Sequence, residues 1–333
     1  MSRSDNETRK NDITDEEQRE VKKKLRGYAL VRVVMMWIFA LLFAVFVTIS
    51  IMYMIRNHKA NESSNKVMGD FNQITNAGTL PNNDTPIVIP PTQTEETTGG
   101  ETVGEETTGG AVSENTTGEA TTASPPATEA PEDEAYMKYV EECIAEAKKL
   151  KNQYPDFRAI IVIEGDTINL KYPILQSGDN DYYVNYLIDG TKNSTGEIFL
   201  DCRNNGEILQ NRNSVIYGHN MNDGTKFGQL HKYKHNGAFY THNVTVVTTE
   251  AVLTFKPFSF YKTDIYNPYT TVSFRNDAEF AEFCLSEQGR SMFESKLEFT
   301  GGERIITLST CYGTSLTERY CLHAVLVNVA KPR

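Results

Sequence analysis

Residues 33–55 read VVMMWIFALLFAVFVTISIMYMI, 23 positions in succession without a charge. At 1.5 Å of rise per residue a helix of this length spans roughly 34 Å, enough to cross the hydrocarbon core of a bilayer. A cleaved leader would have a shorter apolar stretch closing on small residues, whereas this one runs into IMYMIRNHK, so the sequence predicts a retained membrane helix. Within twenty residues of its ends stand six bases on the N-terminal side (Arg19, Lys22, Lys23, Lys24, Arg26, Arg32) and three on the other (Arg56, Lys59, Lys66). That bias predicts a single pass, with residues 1–32 in the cytoplasm and everything after Ile55 outside.

The anchor also divides the charge. The formal net charge is -11, yet residues 1–55 carry nine bases and seven acids and residues 135–333 twenty-one and twenty-three, against three and fourteen in residues 56–134. Within that acidic segment, residues 90–134 are almost wholly Thr, Glu, Gly, Pro, Ala and Ser, and EETTGG occurs twice. Such a composition has too little apolar surface to offset chain entropy, so residues 56–134 are expected to form a disordered extracytoplasmic linker with a reach on the order of 50 Å. SPPATE, beginning at Ser124, lies inside it. Nowhere do residues 135–333 cluster Lys and Arg as phosphate binding requires, which argues against a nucleic-acid partner.

Residues 135–333 are long enough for one domain with a substantial core. Tyr136, Val140, Cys143, Ala147 and Leu150 recur at helical intervals before Pro155, predicting an amphipathic helix. Short apolar or alternating runs follow: AIIVIEG from Ala159, INLKYPILQ from Ile168, YYVNYLI from Tyr182, EIFLDC from Glu197, SVIYGH from Ser214, VTVVTTEAVLTFKPFSFY from Val244, RIITLSTC from Arg304 and RYCLHAVLVNVA from Arg319. Many short strands with few helices predict a mainly β domain, a barrel or a sandwich. One helix interrupts them, opened by Asn276 as N-cap with Glu279 three residues on, carrying Phe280 and Phe283 on its apolar face and stopping near Gly289.

The five cysteines, Cys143, Cys202, Cys284, Cys311 and Cys321, form no CxxC pair, and their odd number leaves at least one thiol free within a chain. Cys143 and Cys284 fall on helices that must pack, and read as core. Cys311 ends a strand just before GTS, where a sulfur is held rigidly at a surface; a small buried hydrophobe is the plainer role for an anonymous cysteine. His219 in VIYGHNM stands where an apolar run gives way to polar residues and has the chemistry to exchange protons with a thiol. Arg319, eight residues beyond Cys311, is placed for a hairpin to return its guanidinium to the sulfur, where it would stabilise an oxyanion or else form a surface ion pair. His231, His235 and His242 lack supporting acidic or cysteine ligands, and no metal site is expected.

TLSTC at residues 307–311, with Arg319 downstream and YGHNMNDGTKFGQLHKY upstream from Tyr217, resembles a class B sortase. The anchor, the early helix, SGDNDYYVNYLIDG from Ser177, GEIFLDCRN from Gly196 and the helix at Asn276 agree, over roughly residues 135–333. The resemblance implies an eight-stranded sortase-type β-barrel with an N-terminal helix and a helix inserted before the catalytic strand. It implies a cysteine transpeptidase of the cell membrane in which Cys311 attacks the Thr carbonyl of a C-terminal sorting signal and forms a thioacyl enzyme. His219 would act as general acid and base, and Arg319, helped by backbone N–H near Tyr312, would hold the oxyanion or substrate. Asn220, Ser309, Thr310 and Tyr312 are expected substrate contacts. Partners would be surface proteins bearing sorting signals and an amine of the peptidoglycan precursor; a pilin Lys acceptor, a hydrolytic cysteine peptidase and a non-catalytic wall-binding module are the alternatives. No cofactor is implied. An acid that some class B members carry two positions after the cysteine is replaced here by Gly313.

Overall fold

The computed structural model describes residues 3–69, 71, 73–74 and 131–332, in two units, 1–59 and 60–333. The first consists of most of helix α1 (Arg3–Val67), whose apolar window is long enough to cross a membrane and has no part buried in protein. The helix does not stop with the apolar run at Ile55. Val67, Met68, Phe71 and Ile74 recur at helical spacing, and Met68 and Phe71 are fully buried with Val140, Cys143 and Leu150. The segment expected to be spacer from residue 56 therefore starts as structure: four apolar residues at helical intervals are enough to dock it, and its polar average conceals them. Residues 75–130, including SPPATE, lie outside the described residues.

Within the second unit, helix α2 (Pro131–Gln153) packs Val140, Cys143, Ile144, Ala147 and Leu150 on the barrel. Eight strands follow: β1 (Phe157–Glu164), β2 (Asn169–Leu175), β3 (Ile198–Leu200), β4 (Asn213–Tyr217), β5 (Val244–Val247), β6 (Val252–Asp264), β7 (Ile305–Cys311) and β8 (Glu318–Ala330). They close into a barrel in the order β1-β2-β3-β4-β7-β8-β6-β5, with β5 returning to β1. Closure removes the unpaired edges that short strands would otherwise expose. Inward-facing Ile161, Ile163, Leu200, Ile216, Phe255, Ile306, Leu308 and Leu322 belong to the main core.

One predicted strand is a helix. YYVNYLI forms α3 (Tyr182–Asn185), because Asp179 Oδ1 accepts from the amides of Asp181 and Tyr182 and turns the chain, and the rings of Tyr182 and Tyr186 then stack at 4.5 Å. A short helix, α4 (Asn236–Thr241), precedes β5. The inserted helix, α5 (Asp277–Gly289), begins as expected: Asn276 Oδ1 accepts from Glu279 N at 2.9 Å, and Phe280 and Cys284 are buried. Glu279 reaches back one residue further than a capping box requires, to the amide of Arg275.

Candidate active site

Strands β4 and β7 run parallel, with Tyr217 opposite Ser309. Two residues further on each chain stand His219 and Cys311, so parallel pairing brings them off the same end of the barrel side by side. Strand β8 is antiparallel to β7 and sets Arg319 opposite Cys311. Three adjacent strands thus deliver the three predicted residues in one row. All three line a groove of about 360 Å³ together with Asn180, Val184, Tyr217 and Tyr269.

Close contacts fix the row. A Cβ on Gly218 would lie 2.7 Å from the Phe227 ring, so only glycine lets the chain turn out of β4 here. Gly218 N donates to Ser309 O at 3.2 Å, and Thr310 Oγ1 donates to Gly218 O at 2.8 Å. Asn220 Nδ2 donates to Cys311 O at 2.9 Å, tying the histidine loop to the cysteine strand. His219 Nε2 lies 2.9 Å from Val184 O. A carbonyl only accepts, so Nε2 carries the proton in this bond and Nδ1 is left as the ring nitrogen without one. Arg319 is anchored through Nη1 to the carbonyls of Leu316 and Glu318, at 3.0 and 2.9 Å.

The far wall is braced through Asp201, which accepts from Arg203 Nη2 at 2.6 Å and from the Tyr217 hydroxyl at 2.8 Å, while Arg203 also reaches Thr270 O. Burial works to raise the Asp201 carboxyl, but the bonds from Arg203 and Tyr217 outweigh it and hold it below the usual carboxylate range. Tyr269, which bonds Ser309 Oγ at 2.9 Å, is pushed up to about 12 by burial and therefore stays a neutral hydroxyl.

The thiols differ by surroundings. Burial raises Cys143, Cys284 and Cys321, in the last case far above the ordinary thiol value, whereas Cys311 is half-buried on the groove. Cys202 is half-buried as well, and of the five thiols Cys311 is the one that lines this groove.

The expected substrate contacts fare unevenly. Ser309 and Thr310 reach the groove but are almost fully buried and bonded within the protein. Asn220 spends its amide on the Cys311 carbonyl and is a brace. Tyr312 does not line the groove, and its N–H donates to Glu318 O at 2.9 Å, closing the β7–β8 turn instead of facing an oxyanion. Asn180, Val184, Ile265, Tyr269 and Thr270 line the groove without having been singled out from the sequence. Asn180 carried a signal in the turn-forming DN pair; Ile265 and Tyr269 sit in a connection whose fold only the barrel defines. Among the described residues no three His, Cys, Asp or Glu side chains converge as a metal site.

A model of the sortase domain matches residues 163–327. Over 171 residues the chain is 35% identical to sortase B of Listeria monocytogenes, an alignment covering 50% of this chain and 66% of that protein, just under two thirds. The X-ray structure of Clostridium perfringens sortase B is similar with a TM-score of 0.50 at 30% identity, covering 54% of this chain and 99% of that one. A Staphylococcus aureus sortase B-substrate complex matches with a TM-score of 0.50 at 26% identity, covering 60% of this chain and 99% of that one.

Proposed function

This chain belongs to the sortase family, in its class B, and from that premise we propose that it is a membrane-tethered cysteine transpeptidase attaching surface proteins to a cell-wall amine. The row formed by His219, Cys311 and Arg319 on one groove is the observation that carries this reading. Sorting-signal peptide is the substrate class, supported by the substrate complex of the Staphylococcus aureus relative.

The sulfur of Cys311, as thiolate, adds to the Thr carbonyl carbon of the signal. Negative charge moves to the carbonyl oxygen, where the fixed cation of Arg319 stabilises it without reorganising. The C–N bond breaks as His219 gives a proton to the departing amine, leaving a thioester on Cys311. An amine of the peptidoglycan precursor then attacks, His219 takes its proton, and the thiolate leaves. Helix α1 supplies the membrane anchor, with the catalytic unit on the extracytoplasmic side, in keeping with the cell-surface placement of sortases.

The test is mass spectrometry of the full chain in detergent micelles with a mixture of sorting-signal peptides. A mass increase on Cys311 equal to the acyl half of one peptide is expected, and it should be discharged as the peptide hydroxamate by added hydroxylamine. No adduct with any peptide, or one on another cysteine, would overturn the assignment.

A further inference from the structure

An ion pair sits behind the proposed general acid and base. Lys226 is 1% exposed and Glu197 0%, and Lys226 Nζ is bonded to Glu197 Oε2 with the Tyr172 ring 5.1 Å away. Neither residue lines the groove. Withdrawing two charges from water generally costs as much as their attraction returns, so such a pair is weak evidence for stability alone. Lys226 also takes the left-handed backbone conformation, φ 51, the one non-glycine to do so among the described residues.

Each partner leads to one of the two segments that fix His219. On the lysine side, Lys226 is bridged to Asn220, next to His219, and Phe227 N donates to His219 O at 3.0 Å. On the glutamate side, Glu197 N donates to Tyr183 O at 2.8 Å, and its carboxylate accepts from Ile188 N at 3.2 Å. Beside it Gly196, at φ 52, presses on the same turn so closely that a Cβ would lie 2.7 Å from Val184 O. Val184 O is the acceptor for His219 Nε2. The pair therefore joins the loop that carries the ring to the turn that holds its hydrogen-bond acceptor.

We propose that Lys226 and Glu197 are positioning residues that hold the His219 ring against the Val184 carbonyl and so keep Nδ1 as its proton-exchanging nitrogen. This rests on the reading of His219 given above. A neutral pair of similar shape should leave the barrel folded while loosening the ring, which slows proton transfer and leaves the peptide groove intact.

The experiment compares the full chain in micelles with the double variant Lys226→Met, Glu197→Gln. The probe is a fluorescence-quenched peptide with a Pro-x-Thr core, with hydroxylamine as acceptor. Expected is a drop in kcat of about tenfold with KM within twofold of wild type, at a retained unfolding transition. Wild-type kcat, or a raised KM with kcat unchanged, would overturn the proposal. Should the double variant not fold, Lys226→Gln keeps a donor to Glu197 and is expected to lose kcat several-fold at constant KM; an unchanged kcat there counts equally against it. His219→Ala runs alongside. If that variant keeps its kcat, the reading of His219 itself is wrong; if it is inactive while the pair variants match wild type, only the positioning role fails.

Discussion

Ten residues apart, the chain sets one cysteine on a groove that a histidine also lines and another in direct contact with a buried histidine. Cys321 Sγ lies 3.1 Å from His323 Nε2, and that nitrogen lies 3.5 Å from Glu287 Oε2, so on paper this is a thiol, an imidazole and a carboxylate in file. Every member is buried, with Tyr261 bonded to the same carboxylate and Thr307 Oγ1 at 2.9 Å from His323 Nδ1. Burial and the nearby Glu287 charge push the Cys321 thiol far up, while Glu287 is drawn down against its own burial by His323, Tyr261 and Arg290. Cys311 has no comparable partner chain but stands on an open groove with Arg319 across the strand pair. Thiol and imidazole proximity does not make a nucleophile; access to substrate and a path to thiolate do.

The sharpest break of this comparison is a paired substitution. Cys311→Ala is expected to abolish peptide turnover, a loss of at least about 10⁴-fold, because no other group can form the thioester. Cys321→Ala should keep turnover within about threefold of wild type. The reverse pattern, read from initial rates on one peptide, would move the nucleophile to the buried site. The two histidines should separate along a different axis. His219→Ala is expected to lower kcat by roughly 10²–10⁴ with its unfolding midpoint little changed. His323→Ala should instead cost about 3–5 kcal/mol of stability, since it opens a cavity in the core and takes one partner each from buried Glu287, Thr307 and Cys321. Thermal unfolding measured beside the rates tells them apart, and equal stability losses in both would show that His219 is structural.

The eight strand runs and the two domain helices show how far one sequence carries. Seven of the eight runs hold all eight strands, the run from Val244 supplying both β5 and β6, because each side of the barrel wall faces a different environment, and Asn276 capped its helix where a polar acceptor three residues before Glu279 demands one. YYVNYLI misled, since β-branched and aromatic content suits a strand and only the Asp179 turn makes it a helix. Within the site, the strand ends marked Cys311, His219 and Arg319 only as candidates with plainer roles open to each, and it is the resemblance of TLSTC, the histidine segment and Arg319 together to class B sortases that singled them out. Ile265 and Tyr269 were not: they reach the groove from the β6–α5 connection, and which residues of a long connection turn inward depends on contacts with Ser309 and its neighbours. Lys226 stands in the polar run NMNDGTKFG, and nothing short of its partner at 197 marks it as buried.

Labelling extends the contrast to a smaller effect. A neutral alkylating reagent should modify Cys311 in the native protein at least tenfold faster than Cys321, Cys143 or Cys284, and all should react once the chain is unfolded. Native labelling of Cys321 at the Cys311 rate would mean that its burial is not maintained in solution.

The smallest expected effect concerns pH, and it reads out the burial of a thiol away from the groove. Burial, chiefly, raises Cys143 from the ordinary thiol value to about 11. In the folded chain it stays protonated while in the unfolded chain it ionises from about pH 8.5 upward, so the unfolded state binds fewer protons across that window. Its contribution to stability is complete below about pH 8.5 and is lost as pH climbs toward 11. The slope from one such group is at most about 1.4 kcal/mol per pH unit. Cys143→Ala should flatten the fall in stability between pH 9 and pH 11 by up to that amount, measured by urea unfolding, even if the small cavity it leaves lowers stability uniformly. Tyrosines away from Cys143 drop out of the difference, while Tyr136 and Tyr139, raised chiefly by burial and in part by this thiol, belong to the same effect. An alkaline slope that Cys143→Ala leaves unchanged would show that burial does not hold this thiol protonated in the folded chain.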